Sequence, residues 1–329
     1  MNKSLPKIAI TMGDPAGIGP EICVKALADE SISSVCVPLV VGDIDALRQT
    51  ANALKSKVRF EKEAGDGRST ITVFETAIKL DGFDVGVDDA RTGKAAASYI
   101  EKAVDLWRRG EIDAIATAPI SKKALSLAGY KYPGHTEFLA HLTETKRVGM
   151  SFFGGDLRVV LLSTHLALSD AIKLVTKTNL IESIKFSDKE LNRLLARRPK
   201  IAVAGLNPHA SENGMFGREE IDEIAPAVAE CRDAGIDVSG PYSPDTIFLR
   251  CYRGEFDAVI ALYHDQATIP VKAFSFGSAV NVTLGLPLIR TSVDHGTAFD
   301  IAGKGIADAS SMISAIKLAA ELVTRQKER

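Results

Sequence analysis

The chain has 329 residues, 46% of them apolar and 25% charged, with a formal net charge of −2 at pH 7. That length exceeds what one compact core usually serves, so two domains are expected. The near-neutral charge argues against a dedicated nucleic-acid surface, which would carry a basic excess. No apolar run approaches the ~20 residues of a membrane-spanning helix, and the start MNKSLPKIAITMGD lacks the apolar core of a signal peptide. Cys23, Cys36, Cys231 and Cys251 form no CxxC pair. Reduced thiols in a cytoplasmic protein are the expectation.

Lys7 to Met12 reads as a strand, and GDPAGIGPE after it as a glycine-rich turn into a helix from about Glu21, with Pro20 at the first helical position. Strand, turn and helix bring backbone N–H groups towards an anionic or polar ligand. GIGPE is not GxGxxG, however, and a purely structural turn accounts for it equally well. CVPLVVGD reads as a strand, DIDALRQTANAL as a helix and STITVFET as a strand. TGKAAASYIEKAVDLWRRG is a long helix with Thr92 as its cap and Gly110 as its end. EIDAIATAPISKKAL then gives strand, turn and helix. The repeated β-α units predict an α/β protein with a largely parallel sheet and helices on both faces.

In GYKYPGHTEFLAHLTETK, His135 and Thr136 open a helix. Free N–H groups, the helix dipole and side-chain donors could hold a phosphate there; a capping Thr136 beside an exposed His135 would give the same pattern. A β-hairpin is expected around Gly154-Gly155-Asp156, its second strand ending at Thr164-His165. A helical region runs from Ser169 to about Arg198, broken near Ser187-Asp188. The strand IAVAGL ends in Asn207-Pro208-His209 and is followed by the acidic helix start EEIDEIAP. Asp245-Thr246 open a further helix, and the apolar run FDAVIALY stops at His264-Asp265. Eight apolar or β-branched residues bounded by polar ones fit a buried strand. An amphipathic helix, about Ser310 to Gln326, closes the chain.

Two constellations carry chemistry. His165, His209 and His264 each terminate a separate apolar strand, too far apart in sequence for a zinc finger. Imidazoles from distant strands suggest a catalytic metal site with an open position, suited to zinc, cobalt or a similar ion. Unrelated loop histidines are the alternative for any one of them. The second set is Lys272, Asn281 and Arg290, which could bind a carboxylate or phosphate. Salt bridges to Asp265 or Asp294 are the alternative there, although Arg290 lies in the apolar run NVTLGLPLIRTS, where a lone cation is costly.

Taken in order, TMGDPAGIGPE, ATAP, YPGHTE, STH, GLNPHA, GPYSPDT, YHDQ and NVTLGLPLIRTSVDHGTAFDIAGKG resemble the 4-hydroxythreonine-4-phosphate dehydrogenase family of vitamin B6 biosynthesis. The resemblance covers essentially the whole chain. It implies two α/β/α domains of the isocitrate and isopropylmalate dehydrogenase type, 1–133 plus 272–329 on the nucleotide side and 134–271 carrying the metal ligands, with the active site in the interdomain cleft. It further implies a homodimer in which His165, His209 and His264 bind a divalent metal (zinc, magnesium or cobalt) shared between subunits. His135, Thr136, Lys272, Asn281 and Arg290 would bind the phosphorylated substrate, and His295, Gly296, Thr297, Ala298 and Gly303 the adenosine part of NAD or NADP.

The implied activity is oxidation of 4-phosphooxy-L-threonine at C3, followed by decarboxylation to 3-amino-2-oxopropyl phosphate and CO2. Lys272 and Asp245 are the candidate proton acceptors. Relatives with the same motifs act on 4-phospho-D-threonate or D-erythronate, and the TIPVK wording after His264 leans towards them. A non-catalytic sensor of metal and phosphosugar is the reading of another class.

Overall fold

The computed structural model describes residues 5–63, 68–275 and 277–328. The first four residues of MNKSLPK and Phe276 lie outside them. The chain falls into two units, Met1–Val148 with Leu286–Lys327, and Gly149–Gly285.

The first unit opens with β1 (Lys7–Thr11), four of its five residues buried, and the glycine-rich turn into α1 (Gly19–Leu27), with Pro20 in its first turn. A short helix not anticipated from the sequence, α2 (Glu30–Val35), is capped by Asp29. It precedes β2 (Val37–Val41) and α3 (Ile44–Ala53), which Asp43 caps. Next come β3 (Arg59–Glu61) and β4 (Thr70–Phe74). α4 (Ala90–Arg108) is capped by Asp89, which accepts from Arg91 N. Thr92, the expected cap, lies buried inside the helix and donates its hydroxyl to Asp89 O. β5 (Ala114–Thr117), α5 (Lys122–Leu127) and α6 (His135–Leu142) complete this portion.

The second unit begins with a hairpin, β6 (Gly149–Gly154) against β7 (Leu157–Leu161), turning at Gly155 with φ +57°. The following helical region is broken at Leu174–Thr176 and not at Ser187-Asp188, which lie within the second helix. It comprises α7 (Leu168–Lys173) and α8 (Lys177–Leu195), the latter capped by the Thr176 hydroxyl. β8 (Ile201–Ala204), α9 (Ala225–Asp233), β9 (Val238–Tyr242), α10 (Ile247–Tyr252) and β10 (Ala258–Ala261) follow. Then α11 (His264–Ser275) starts on the very residue that ends the apolar run, and β11 (Val280–Leu284) closes the unit. The strand order is β11-β6-β7-β10-β8-β9, with β6 antiparallel to both neighbours and the other pairs parallel. α10 and α11 cover one face of this sheet, where Phe248, Cys251 and Val271 pack on Val159, Ala202 and Val259.

The chain then returns to the first unit as β12 (Ile289–Ser292) and α12 (Ser310–Lys327). β12 lies parallel to β5 and completes a six-stranded parallel sheet, β3-β4-β2-β1-β5-β12. α4 groups with α5 and α6, and α12 with α1 and α2. The unit boundaries fall later than the expected 133/134 and 271/272. α6 buries Phe138 and Leu139 and packs on α4, which keeps it in the first unit. Lys272 and Asn281 stay in the second, because α11 packs on β6 and β7 and β11 pairs with β6.

Candidate active site

Parallel strands align their carboxyl ends, and ligand-binding groups collect at that edge of an α/β sheet. β7, β10 and β8 are neighbours, in registers that pair Leu161 with Ala261 and Ile260 with Val203. Their ends therefore deliver His165, His264 and His209 to one edge of the second unit. The His165 and His264 rings are 5.6 Å apart between centroids. His264 Nδ1 is 2.7 Å from Asp265 Oδ1, a carboxylate placed to fix ring orientation and tautomer, as around metal-bound imidazoles. His209 emerges from the next strand on an exposed turn with φ +53°. Among the described residues no group of three or more His, Cys, Asp or Glu gathers closely enough to hold an ion. The chain thus brings two of the three histidines together and leaves the third on the adjoining strand end. The donor type, imidazole with a carboxylate behind it, fits a borderline divalent ion.

The anion-binding set divides between the units. In the first, Arg290 on β12 is only 4% exposed, and its Nη2 donates to Thr117 Oγ1 at 2.8 Å at the end of β5. Burial pushes its guanidinium down to about 9, the Glu137 carboxylate working in the opposite direction, so it remains cationic at neutral pH. His135 heads α6, whose N-cap Gly134 offers no side chain to the free N–H groups. Its Nε2 is buried without a hydrogen-bond partner. Burial, reinforced by the Arg290 cation, holds the imidazole well below its ordinary pKa, hence neutral. Thr136 is half-buried in the same first turn. A buried cation, a ring nitrogen without a hydrogen-bond partner and an uncapped helix start lie in this one unit, a set chemically suited to an anion. Thr117 and Glu137 were not anticipated; their only mark in the sequence is position, at a strand end and in a first helical turn.

In the second unit, Asn281 on β11 carries a buried Oδ1 with no hydrogen-bond partner, and Lys272 is exposed on α11. Asp245 lies before α10, accepts from Ser243 Oγ at 2.5 Å, and lines a pocket with Phe248, Tyr263 and Ile269. No hydrogen bond or ion pair joins Lys272 to Asp245 among the described residues.

The His295–Gly303 segment folds onto the glycine-rich turn. Ile18 N donates to Thr297 O at 2.9 Å, and a Cβ on Gly17 would come within 2.9 Å of Thr297, so glycine is required for the approach. Ala298 and Gly303 both have left-handed φ, +44° and +74°. Gly303 lines a cavity with Pro15, Gly17, Glu21, Leu54 and Val85. Glu21 is already committed there, accepting from Gly305 N, Ala307 N and Lys25 Nζ. His295 is exposed, its Nδ1 3.1 Å from Gly296 O. The sequence did not foreshadow Asp14 in the same turn. It is fully buried, with Oδ1 accepting from Ala16 N and Oδ2 lacking a hydrogen-bond partner, and burial raises its carboxyl.

Comparison with known proteins places this architecture. The chain is 47% identical to the D-threonate 4-phosphate dehydrogenase of Cupriavidus necator, over 99% of its own length and all of the relative's. It is 46% identical to the 4-hydroxythreonine-4-phosphate dehydrogenase of Geobacter metallireducens, over 98% and 97% of the two chains. The crystal structure of the 4-hydroxythreonine-4-phosphate dehydrogenase from Klebsiella pneumoniae superimposes with a TM-score of 0.89 at 44% identity, covering 97% and 99%. The class is therefore an α/β oxidoreductase, a dehydrogenase acting on a CH–OH group. The family model for the pyridoxal phosphate biosynthetic protein PdxA matches residues 34–319, and the chain belongs to that family.

Proposed function

We propose that the protein oxidises 4-phosphooxy-L-threonine at C3 with NAD(P), and that the β-keto acid formed loses CO2 to leave 3-amino-2-oxopropyl phosphate. The buried cation of Arg290 beside His135, whose Nε2 is buried without a hydrogen-bond partner, supports this reading, since both can face an anionic ligand. Arg290, His135 and Thr136 anchor the phosphate, with Lys272 and Asn281 as further donors, and the anchoring orients C3 for reaction. His165, His209 and His264 hold the divalent metal (zinc, magnesium or cobalt), their set shared between the subunits of a cytoplasmic homodimer as the family resemblance implies. When bound, the ion would supply Lewis-acid chemistry and the nicotinamide a hydride acceptor. The segment His295, Gly296, Thr297, Ala298 and Gly303 receives the adenosine part of the dinucleotide, Gly303 lining a cavity with Gly17.

Lys272 or Asp245 takes the hydroxyl proton. If Lys272 takes the proton, Lys272→Ala is expected to lower kcat by far more than it weakens substrate binding; unchanged turnover excludes the lysine.

A second reading within the class has its own support. Ile269-Pro270-Val271-Lys272 leans towards the relatives acting on 4-phospho-D-threonate or D-erythronate, and a relative at 47% identity bears the D-threonate name. The anchors named above serve the phosphate common to all three substrates and do not separate them. Parallel kinetics with the three phosphates decide: a lead in kcat/KM of about 100-fold, or about 2.7 kcal/mol, identifies the substrate. Ligand binding with no NADH from any of them would return the protein to the sensor class.

A further inference from the structure

Two buried polar side chains of the second unit tie together the strand ends that carry the histidines, and a third holds the loop after β8. Ser163, two residues before His165, donates from Oγ to Leu262 O at 2.8 Å, linking the ends of β7 and β10. Gln266 accepts at Oε1 from Leu262 N at 2.7 Å and donates from Nε2 to Gly205 O at 2.8 Å, so one amide spans the ends of β10 and β8. Glu220 accepts at Oε1 from Leu206 N and Asn207 N, both at 2.7 Å, and at Oε2 from Asn207 Nδ2 at 2.9 Å. Gln266 is 7% exposed and Glu220 2%.

These bonds adjoin a strained backbone. His209, Ala210, Ser211, Glu212 and Asn213 all have φ between 46° and 65°, five consecutive non-glycine residues in the left-handed region that L side chains avoid. Such a run persists only where its surroundings over-determine it, and it gathers at functional sites. Gly205 lets the turn close onto the strand, since a Cβ there would come within 3.0 Å of Ala210 Cα and 3.2 Å of Glu220 Oε1. Asn207, at the turn's entry, makes no side-chain cap; its amide is spent on Glu219 and Glu220.

We propose that Gln266 and Glu220 are positioning residues for the three-histidine metal site. Gln266 braces the strand ends that bear His264 and His209 within each chain, and Glu220 holds the left-handed turn that aims His209. This rests on the metal reading above, and it adds two side chains that touch neither ion nor substrate. A residue that merely satisfies buried backbone groups would affect unfolding alone; a positioning residue also affects the ion.

The test strips the full-length protein of metal by chelation and titrates it with Co2+, reading the visible d–d absorption alongside thermal unfolding. Gln266→Met keeps the length and loses both bonds. Glu220→Gln turns one acceptor oxygen into a donor facing Asn207 Nδ2. Each variant is expected to bind Co2+ about tenfold more weakly or worse, with an altered d–d spectrum. Wild-type affinity and spectrum in both variants overturn the inference and leave the metal reading standing. Wild-type protein that binds no Co2+ removes the metal reading and the inference together. Hydrogen exchange on the wild type decides even if a variant does not fold. Co2+ is expected to slow exchange of the Leu206 and Asn207 amides, and unchanged exchange contradicts the role of Glu220.

Discussion

At the scale of single residues, the account turns on Arg290 and His135. Arginine presents a planar fork that lysine lacks, and a charge-assisted bond to a buried anion contributes about 1.5–3 kcal/mol. Arg290→Lys is therefore expected to lower kcat/KM for the phosphorylated substrate by about 10- to 150-fold, measured by initial rates of NADH formation. His135 gives a pH dependence whose sign follows from its depressed folded pKa. Below about 6.5 the unfolded state binds a proton that the folded state refuses. Stability at this position is thus fully present above the unfolded value and falls as pH drops through that window. His135→Gln is expected to flatten this part of the urea-midpoint profile against pH, and an unchanged slope would assign it to other groups. Positions were legible where a polar side chain interrupts or ends an apolar run: Arg290 is buried on β12 and His264 follows β10 at the head of α11. Asp14 was not, because nothing in GDPAG distinguishes a carboxyl buried in the turn from one pointing to solvent.

Elements were legible in proportion to how cleanly their pattern repeats. β1, β2, β5, β8 and β10 read directly as apolar runs, since strands buried on both faces need no alternation. α11 did not. Pro270 sits inside it, and Thr268, Ile269 and Val271 are β-branched or strand-favouring, so local propensity opposes a helix that tertiary packing on β6 and β7 enforces. The left-handed turn at His209 left no trace either, because Ala210 and Ser211 are not residues that announce a positive φ. Close packing between elements supplies a stability test. A Cβ on Gly93 of α4 would lie 2.1 Å from Ala124 O and 2.8 Å from Leu125 N, both backbone atoms of α5. Gly93→Ala is expected to cost at least about 1–3 kcal/mol of unfolding free energy, read from the denaturant midpoint; a midpoint equal to or above wild type would show that the two helices can part freely.

At the scale of the whole molecule, the α/β class and the parallel character of the first sheet followed from the β-α alternation, while the points where the chain changes unit did not. The boundary depends on which sheet a connecting helix packs against, as α6 shows, and that choice lies in three-dimensional contacts. The chain passes through the first unit, builds the second, and returns, so Arg290 and the His295–Gly303 segment share a unit with the glycine-rich turn although nearly the whole sequence separates them. Among the described residues no helix is long and apolar enough to cross a membrane. The most direct test of the central claim, a dehydrogenase that recognises its substrate through a phosphate, is the rate of NADH formation from each 4-phosphorylated hydroxy acid and from its unphosphorylated counterpart. The phosphorylated form is expected to lead by about 100-fold or more in kcat/KM, or about 2.7 kcal/mol; equal rates for the two forms, or no NADH from either, would contradict it.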